Sequence, residues 1–395
     1  MAELVCITGI GCLCAAGNGL DEVVNTIFAG QRRAASPRAF TTSHPQPYPV
    51  FAVEEGWDVE PEDADLLKTS RLGLAAMRQA LDQAGWSVSD LRGLRVGVCM
   101  GTTVGCAMNN EAFYAGYRSG ATPDMQPIRR FLASNPAEVI HRRLGVSGPC
   151  QTIVNACSSG TDAIGLGSQW LQAGLCDVVL AGGADELCRT TYNGFASLQI
   201  SASELCRPFS VDRCGLNLGE GAAVLVLEKR SLRSDKSVQG LVRGYGSGTD
   251  GWHLTAPHPE GRGLRQALTE AFRTSGIQPS QLSFINAHGT GTRENDRAES
   301  LVLRECLPNI PFHTTKGYTG HTLGAAGAIE AALTLAFLLR QQMPASAGFG
   351  TPDPELAMTP TRVVTPFEGN LALSQSLAFG GNNAALILQR GERCL

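Results

Sequence analysis

Short apolar runs, most of them closed by glycine or small residues, restrict this chain to a few architectures. They occupy residues 4–10, 94–100, 151–156, 177–181 and 222–227. Apolar and polar residues do not alternate within these runs, which predicts strands that are buried on both faces. Segments with helical periodicity, such as 72–84, lie between the runs. Strands interleaved with helices predict an α/β fold.

Size and composition exclude several other classes. The 395 residues suffice for one large domain or two fused halves, and 17% charged residues argue against disorder. A net charge of −4 gives no overall basic field, so no nucleic-acid partner is expected. The first residues lack a signal-peptide pattern, the 13 cysteines include no C-x-x-C pair, and the apolar run at 324–339 is too short for a bilayer. We therefore expect a reduced, cytoplasmic protein with no membrane span.

Two segments of the chain resemble each other. Cys157 lies three residues before a glycine and leads into an apolar helix at 163–171, and His321 does the same before 328–338. This is the pattern expected if two similar halves each deliver one reactive side chain at a helix N-terminus. The Pro- and Gly-rich segment 248–263 is the expected connection between the halves.

Cys157 is the first candidate for chemistry. It follows a predicted strand and precedes small residues and a helix, so the helix dipole should lower its pKa. The neighbouring backbone N–H groups could form an oxyanion hole. The alternative is a buried structural cysteine, since the chain has twelve others.

Three further segments could supply polar groups. His288 ends a predicted strand in a loop of Gly and Thr, and Lys316 precedes His321 in a Gly-rich loop. A nearby Lys opposes the imidazolium form, and a neutral His can donate to a developing enolate. Phe379 begins a Phe-Gly-Gly turn whose N–H groups could point at a ligand. Each segment alone also fits a structural interpretation: a hydrogen-bonded His, an exposed Lys, a capping His and an ordinary turn.

Two other motifs fail in their context. Residues 246–251 match G-x-G-x-x-G, but the sequence that follows contains Trp252 and Pro257 and does not predict a helix, which disfavours dinucleotide binding. The spacing of Cys157 and His288 also occurs in papain-like proteases, whose local signature differs. The remaining histidines lack partners at metal spacing, so we expect no metal site.

Taken together, the four segments resemble the β-ketoacyl-acyl-carrier-protein synthases, the condensing enzymes of fatty acid and type II polyketide synthesis. The resemblance runs from 5–11 through 207–209 and 219–221 to 379–381. His321 at the third catalytic position favours the elongating Cys-His-His subgroup over Cys-His-Asn relatives and thiolases. Gly317 replaces the usual Ser and Ala378 the usual Gly, and the Lys-Gly-aromatic-Thr-Gly-His pattern is similar to synthases of aryl-polyene-type pathways.

The resemblance implies a thiolase-like fold, with two similar α/β halves in a five-layer αβαβα sandwich. The N-terminal half, residues 1–245, would carry the nucleophile. The C-terminal half, residues 246–395, would carry the two histidines, the lysine and the Gly-Gly loop. The family works as a homodimer or as a heterodimer with a related ketosynthase or chain-length subunit.

The resemblance also assigns roles at the catalytic centre. Cys157 would take the acyl chain as a thioester, and its N–H and that of the gating Phe379 would form the oxyanion hole. His288 and His321 would assist malonyl decarboxylation and stabilise the enolate, supported by Lys316.

Other roles concern the substrate and its carrier. Thr290 and Thr292 would hold the phosphopantetheine arm, which arrives on the acyl carrier protein, so no bound cofactor is expected. Glu299 would be a structural acid. A basic patch could dock the acidic carrier, or could be ordinary surface charge: Lys68, Arg71, Arg129, Arg130 and Arg207.

The predicted reaction is a decarboxylative Claisen condensation of an acyl thioester on Cys157 with malonyl-carrier protein, which extends the chain by two carbons. One alternative is a non-condensing chain-length partner subunit, which the retained Cys157 disfavours. Another is a thiolase or decarboxylase acting on coenzyme A esters, of which His321 disfavours the thiolase.

Overall fold

The computed structural model describes residues 4–42, 44–57, 60–105, 107–232, 237–356 and 358–391. The strands are β1 (Val5–Cys14), β2 (Gly17–Asn18), β3 (Val96–Gly101), β4 (Cys150–Ile153), β5 (Val178–Asp185), β6 (Gly221–Lys229), β7 (Gly240–Thr249), β8 (Phe284–Asn286), β9 (Phe312–His313), β10 (Gln342–Met343), β11 (Thr365–Pro366), β12 (Leu371–Leu377) and β13 (Asn382–Arg390). The helices are α1 (Leu20–Phe28), α2 (Lys68–Ala84), α3 (Glu111–Arg118), α4 (Gln126–Ala133), α5 (Pro136–Leu144), α6 (Ser159–Gln172), α7 (Arg189–Ser197), α8 (Arg262–Ser275), α9 (Arg293–Cys306), α10 (Lys316–Thr319) and α11 (Ala326–Arg340).

The two halves of the chain repeat one strand topology. The first half has the order β4-β3-β5-β6-β1, and the second has β9-β8-β12-β13-β7. In each half the first three strands are parallel, whereas β6 and β13 run antiparallel to both of their neighbours. The repeat confirms the two similar halves that the resemblance implied.

Helices cover the sheet in five layers. One buried cluster joins α2 and α5 to the outer face of the first half, and another joins α8 and α9 to the outer face of the second. The largest cluster lies between the half-sheets and contains α6 and α11. The αβαβα sandwich is therefore confirmed, with one addition: β1 pairs with β7 over Val5–Ile7, which makes the half-sheets continuous at one edge.

The predicted strands and helices agree with the structure in position, but their ends shift. The apolar run at 4–10 extends to Cys14, and the run at 151–156 ends as a strand at Ile153. The expected division at 245/246 falls inside β7, which pairs with β13 of the second half. By strand pairing, the division therefore lies between Lys229 and Gly240. Segment 248–263 is not the connection: it joins β7 to α8 within the second half.

The central helices α6 and α11 approach each other through glycine. A Cβ atom at Gly160 would lie 2.8 Å from the Ala328 nitrogen and 2.9 Å from the Gly324 oxygen. A Cβ atom at Gly327 would lie 2.0 Å from Thr161 Oγ1. These two glycines allow the N-termini of the equivalent helices, and the loops before them, to lie side by side.

Gly160→Ala should therefore destabilise the protein. The added methyl group meets backbone atoms of α11 and of the 3-10 turn before it, and such overpacking costs about 1–3 kcal/mol. Gly194→Ala in α7 is the matched control: nothing lies within 4 Å of its added Cβ, so helix propensity should stabilise it by about 1 kcal/mol. Equal unfolding free energies of the two variants in urea would contradict the close packing of α6 and α11.

Helix α11 and the 3-10 turn before it, Leu323–Arg340, are long and apolar enough to cross a membrane, but 89% of this stretch is buried inside the fold. The stretch is one of the two helices between the half-sheets, where a core helix is expected to be apolar all round.

Candidate active site

Cys157 lies in a tight turn between β4 and α6. Ala156 adopts a positive φ of 50°, and the Ser159 hydroxyl fixes the turn by accepting from the Asn155 N–H (2.7 Å) and donating to the Ala156 carbonyl (2.7 Å). The thiol is 4% exposed, and the Phe379 N–H donates to it. The strand-turn-helix predicted from the sequence is therefore present, with Phe379 beside the sulfur.

The predicted lowering of the Cys157 pKa is wrong, because burial outweighs the helix dipole. Burial raises the pKa of Cys157 from 9.0 to about 12, against the lowering effects of the Lys316 cation and the Phe379 N–H. That rise represents about 4 kcal/mol, whereas a helix dipole is worth at most about 2 kcal/mol. The resting group is a neutral thiol whose proton must leave as the sulfur attacks.

His288 follows β8 in a loop that Glu299 holds. The two carboxylate oxygens of Glu299 accept from the N–H groups of His288 (2.6 Å) and Gly289 (2.8 Å). Gln375 on β12 donates to Glu299 as well (2.6 Å). Glu299 lies on α9, so it fixes the His288 backbone to a second element.

Lys316 at the start of α10 is fully buried and uses all three N–H groups. It donates to His288 Nδ1 (3.0 Å), to the His288 carbonyl (2.6 Å) and to Glu330 on α11. An ammonium that donates to Nδ1 leaves the proton of the neutral imidazole on Nε2. The alternative of a solvent-exposed Lys316 is wrong.

His321 lies 5.2 Å from His288, between ring centroids, with the rings almost perpendicular. Its Nδ1 accepts from the Leu323 N–H (3.3 Å), so its neutral form also carries the proton on Nε2. Burial, followed by the Lys316 cation, holds the pKa of both histidines well below the usual value of 6.5. Both rings are therefore neutral at pH 7, as predicted.

The three reactive side chains meet in one cavity of about 290 Å³ lined by Cys157, His288 and His321. Phe379 stands at its wall, stacked on Phe195 with the rings 5.3 Å apart. Gly380 and Gly381, both near a φ of +80°, make the turn that directs the Phe379 N–H inward.

Thr290 and Thr292 also line this cavity, with their hydroxyls 2.9 Å apart. Sequence reasoning missed other lining residues, because they come from distant segments whose approach no local pattern shows. They are Phe195 on α7, Asn295 on α9, and the loop residues Ile200, Asp250 and His253. Segment 250–257, first interpreted as part of a connection, supplies two of these. Two hydrogen bonds join it to the Phe379 turn: Gly380 N–H donates to the Leu254 carbonyl (2.8 Å), and Asp250 N–H donates to the Gly381 carbonyl (2.8 Å).

Glu330 is the functional residue that sequence reasoning missed most clearly. It lies within the apolar run at 324–339 and is the buried partner of Lys316. Burial raises its pKa from 4.5 to about 7, and the Lys316 cation opposes that rise. A carboxylate in an otherwise apolar helix was the available signal, since buried charges are paired.

The candidate docking cations differ in whether their charges are paired with other groups of the chain. Lys68 pairs with Glu220 (2.6 Å), and Arg207 pairs with Glu204 (2.7 Å) and Asp212. Arg71 lies over the Trp57 ring, 5.2 Å from its centroid. Their charges are already partly neutralised or committed within the chain.

Arg129 and Arg130 lie on α4 and are exposed. Among the described residues, Arg130 donates only to the Asp65 carbonyl (2.6 Å), so its charge stays available to a partner. Within the predicted set, α4 is therefore the part best placed to steer an acidic carrier, and docking there stays a prediction.

His313 on β9 is buried between Phe284 and Phe337, and neither ring nitrogen has a hydrogen-bond partner in the described part of the chain. Burial lowers its pKa from 6.5 to about 3. The unfolded chain therefore binds a proton below pH 6.5 that the folded protein does not, and stability falls as the pH falls.

His313→Leu should reduce this acid sensitivity. Between pH 6.5 and 5 the wild-type histidine removes about 2 kcal/mol of stability, which the variant should retain. Urea unfolding at both pH values measures the difference. Equal losses in the two proteins would contradict a neutral, buried His313.

Comparison with known proteins identifies the family. The family model described as "Beta-ketoacyl synthase, N-terminal domain" matches residues 2–233. The model described as "Beta-ketoacyl synthase, C-terminal domain" matches residues 239–350. The chain belongs to the β-ketoacyl synthase family. Relatives of the chain are named 3-oxoacyl-[acyl-carrier-protein] synthase, an acyltransferase-class condensing enzyme, and the family shares the thiolase-like fold described above.

Individual relatives agree with this family. The 3-oxoacyl-[acyl-carrier-protein] synthase 2 of Synechocystis is 30% identical, with 98% of each chain covered. The ishigamide ketosynthase/chain length factor is similar in structure, with a TM-score of 0.91, 29% identity, and 99% of this chain and 100% of that chain covered. The ketosynthase ApeO in complex with its chain length factor ApeC from Xenorhabdus doucetiae gives a TM-score of 0.85 and 32% identity, with 98% of each chain covered.

Proposed function

We propose that this chain is the condensing subunit of an acyl-carrier-protein-dependent ketosynthase. The convergence of Cys157, His288 and His321 on one cavity, with Lys316 bonded behind His288, carries the proposal. A chain-length partner subunit needs no nucleophile, and a cysteine beside a preformed N–H donor has no other evident use there. Synthesis of a fatty acid or a type II polyketide, including an aryl-polyene-like product, is the expected context.

In the first step the Cys157 sulfur attacks the thioester carbonyl of an acyl-carrier protein. The N–H groups of Cys157 and Phe379 stabilise the oxyanion, and the carrier thiol leaves with the proton that Cys157 gave up. The acyl chain is then held as a thioester, and the carrier departs.

In the second step malonyl on a carrier loses carbon dioxide. The electron pair of the broken C–C bond becomes an enolate, whose oxygen accepts from the Nε2–H groups of His288 and His321. The enolate carbon attacks the acyl-Cys157 carbonyl, the sulfur leaves, and it takes a proton from solvent. The product is a β-ketoacyl-carrier protein longer by two carbons.

The hydroxyls of Thr290 and Thr292 are suited to hold the amides of the phosphopantetheine arm, which the carrier brings. The chain would therefore need no resident cofactor. Two similar solved structures have names that pair a ketosynthase with a chain length factor, which supports a related subunit as the partner. A cytoplasmic location fits the burial of the apolar helix α11.

Intact-protein mass spectrometry with a panel of acyl-carrier proteins tests the first step. We expect one acyl adduct, mapped to Cys157, for the preferred chain length. A folded protein that no carrier acylates would contradict the condensing role. Adducts formed only from coenzyme A esters would show that coenzyme A, and not a carrier protein, delivers the acyl group. Native mass spectrometry of the co-purified complex then separates a homodimer from a heterodimer.

A further inference from the structure

Arg32 lies in the connection after α1, far in sequence from the catalytic residues, and its guanidinium reaches into the wall behind them. Its Nε donates to the Gly317 carbonyl (2.7 Å), and its Nη2 donates to the Cys206 carbonyl (2.7 Å). Among the described residues no carboxylate forms an ion pair with Arg32. This cation is thus used to hold two backbone carbonyls that lie on separate segments.

The Gly317 carbonyl needs such a donor because α10 is only one turn long. A longer helix would pair it with the N–H of residue 321. The His321 N–H instead donates to the Asn217 carbonyl (2.7 Å). Arg32 therefore replaces the missing helical hydrogen bond directly after the catalytic Lys316.

Residue 317 also has no room for a side chain. A Cβ atom there would lie 2.5 Å from the Ala347 oxygen. The sequence departure at Gly317 is thereby explained: the backbone of α10 packs directly against the 347 segment, and the guanidinium holds it from the other side.

The contacts close into a ring. Cys206 donates its N–H to Asn217 Oδ1 (2.7 Å), and the Asn217 side chain also bonds the Ala202 and Glu204 carbonyls. Asn217 in turn holds the His321 N–H. Starting from Arg32, the ring passes through Gly317, along the chain to His321, through Asn217 and Cys206, and back to Arg32. His321 ends the segment that the ring encloses, and Lys316 directly precedes this segment, where its carbonyl accepts from the Cys206 thiol (3.7 Å).

We propose that Arg32 is a positioning residue for the decarboxylating half-reaction. It holds the Lys316–His321 segment against the Cys206 loop and thereby aims the Lys316 ammonium and the His321 ring. Cys157 lies on the opposite half of the fold, between β4 and α6, and the hydrogen bonds described for its turn, from Ser159 and the Phe379 N–H, do not involve Arg32. Loss of Arg32 should therefore impair decarboxylation more than acylation.

The test compares Arg32→Ala with Arg33→Ala, because Arg33 is the neighbouring cation and its ion pair in the described part of the chain is with the surface residue Glu22 (3.3 Å). In Arg32→Ala we expect malonyl-carrier decarboxylation to fall about tenfold or more, since small misplacements of catalytic groups have effects of this size. Cys157 acylation should stay within about twofold, and Arg33→Ala should match the wild type in both. Unchanged decarboxylation, or a parallel fall of both steps, would overturn the proposal.

A second readout does not depend on activity. Hydrogen exchange of the peptide spanning residues 314–325 should become faster in Arg32→Ala and stay unchanged in Arg33→Ala. Arg32→Lys keeps the charge but cannot donate to both carbonyls in the way that the guanidinium does. Its decarboxylation rate and its exchange rate should lie between those of the wild type and of Arg32→Ala. If Arg32→Ala does not fold, Arg32→Lys is compared with the wild type instead. Unchanged exchange at 314–325 would overturn the proposal even if the proposed condensation fails in the wild type.

Discussion

Cys157→Ala should give no acyl adduct with any carrier protein and should lower condensation by on the order of 10⁴-fold or more, because the covalent intermediate cannot form. His288, His321 and Lys316 remain in place in this variant, so malonyl decarboxylation should persist. Intact-protein mass spectrometry and product analysis measure the two steps separately.

Cys214→Ala is the matched control, since Cys214 is an exposed thiol and Cys157 a buried one. We expect it to acylate and condense as the wild type does. An adduct that persists in Cys157→Ala and disappears in Cys214→Ala would move the reactive thiol to the surface and contradict the assignment of the nucleophile.

Lys316→Ala should lower malonyl decarboxylation by about 10²–10³-fold, because His288 loses the donor that keeps its Nε2–H directed into the cavity. It should also destabilise the fold by about 3–5 kcal/mol, since the Glu330 carboxyl stays buried without its cation. Both effects follow from one ammonium that bonds His288 and Glu330 together.

The pH dependence of this variant has a defined sign. The pKa of Glu330 is already raised to about 7 in the folded wild type, and loss of the Lys316 cation raises it further. The folded variant therefore keeps a proton that the unfolded chain releases above pH 4.5, so its stability falls as the pH rises. Its deficit relative to wild type should be larger at pH 8 than at pH 5.5.

Lys316→Met combined with Glu330→Gln separates stability from catalysis. Replacing both partners of a buried ion pair by groups of similar volume is often close to neutral for stability. We expect the double variant to recover most of the unfolding free energy and none of the decarboxylation. Recovery of activity together with stability would show that Lys316 acts only through the fold.

The sequence was sufficient for those parts of the site that depend on local chain direction. Cys157 lies between a strand and a helix, His288 follows a strand, and Phe379 begins a turn after a strand. The element that precedes each of these residues sets its position. The repeated strand order of the two halves then places Cys157 and His321 at equivalent helix starts, as the sequence echo predicted.

Other features depend on contacts between distant segments, which no local pattern contains. The sequence places Glu330 in an apolar helix, but only the packing of α11 beside α10 shows that it pairs with Lys316. Arg32 is 285 positions from Gly317, the residue that it holds. The pKa of Cys157 was misjudged for the same reason, since the sequence shows the helix that lowers it but not the burial that raises it. The pairing of β1 with β7 likewise joins strands from the two halves, so no local sequence pattern predicts it.

The most direct test of the condensing role is a single-turnover chase. The protein is first acylated on Cys157, freed of donor, and then mixed with malonyl-carrier protein labelled with ¹³C at the methylene carbon. We predict that the acyl adduct disappears at the rate at which a labelled β-ketoacyl-carrier protein, two carbons longer, appears. An acyl-Cys157 adduct that persists while malonyl-carrier protein stays intact, or decarboxylates without product, would contradict condensation by this chain.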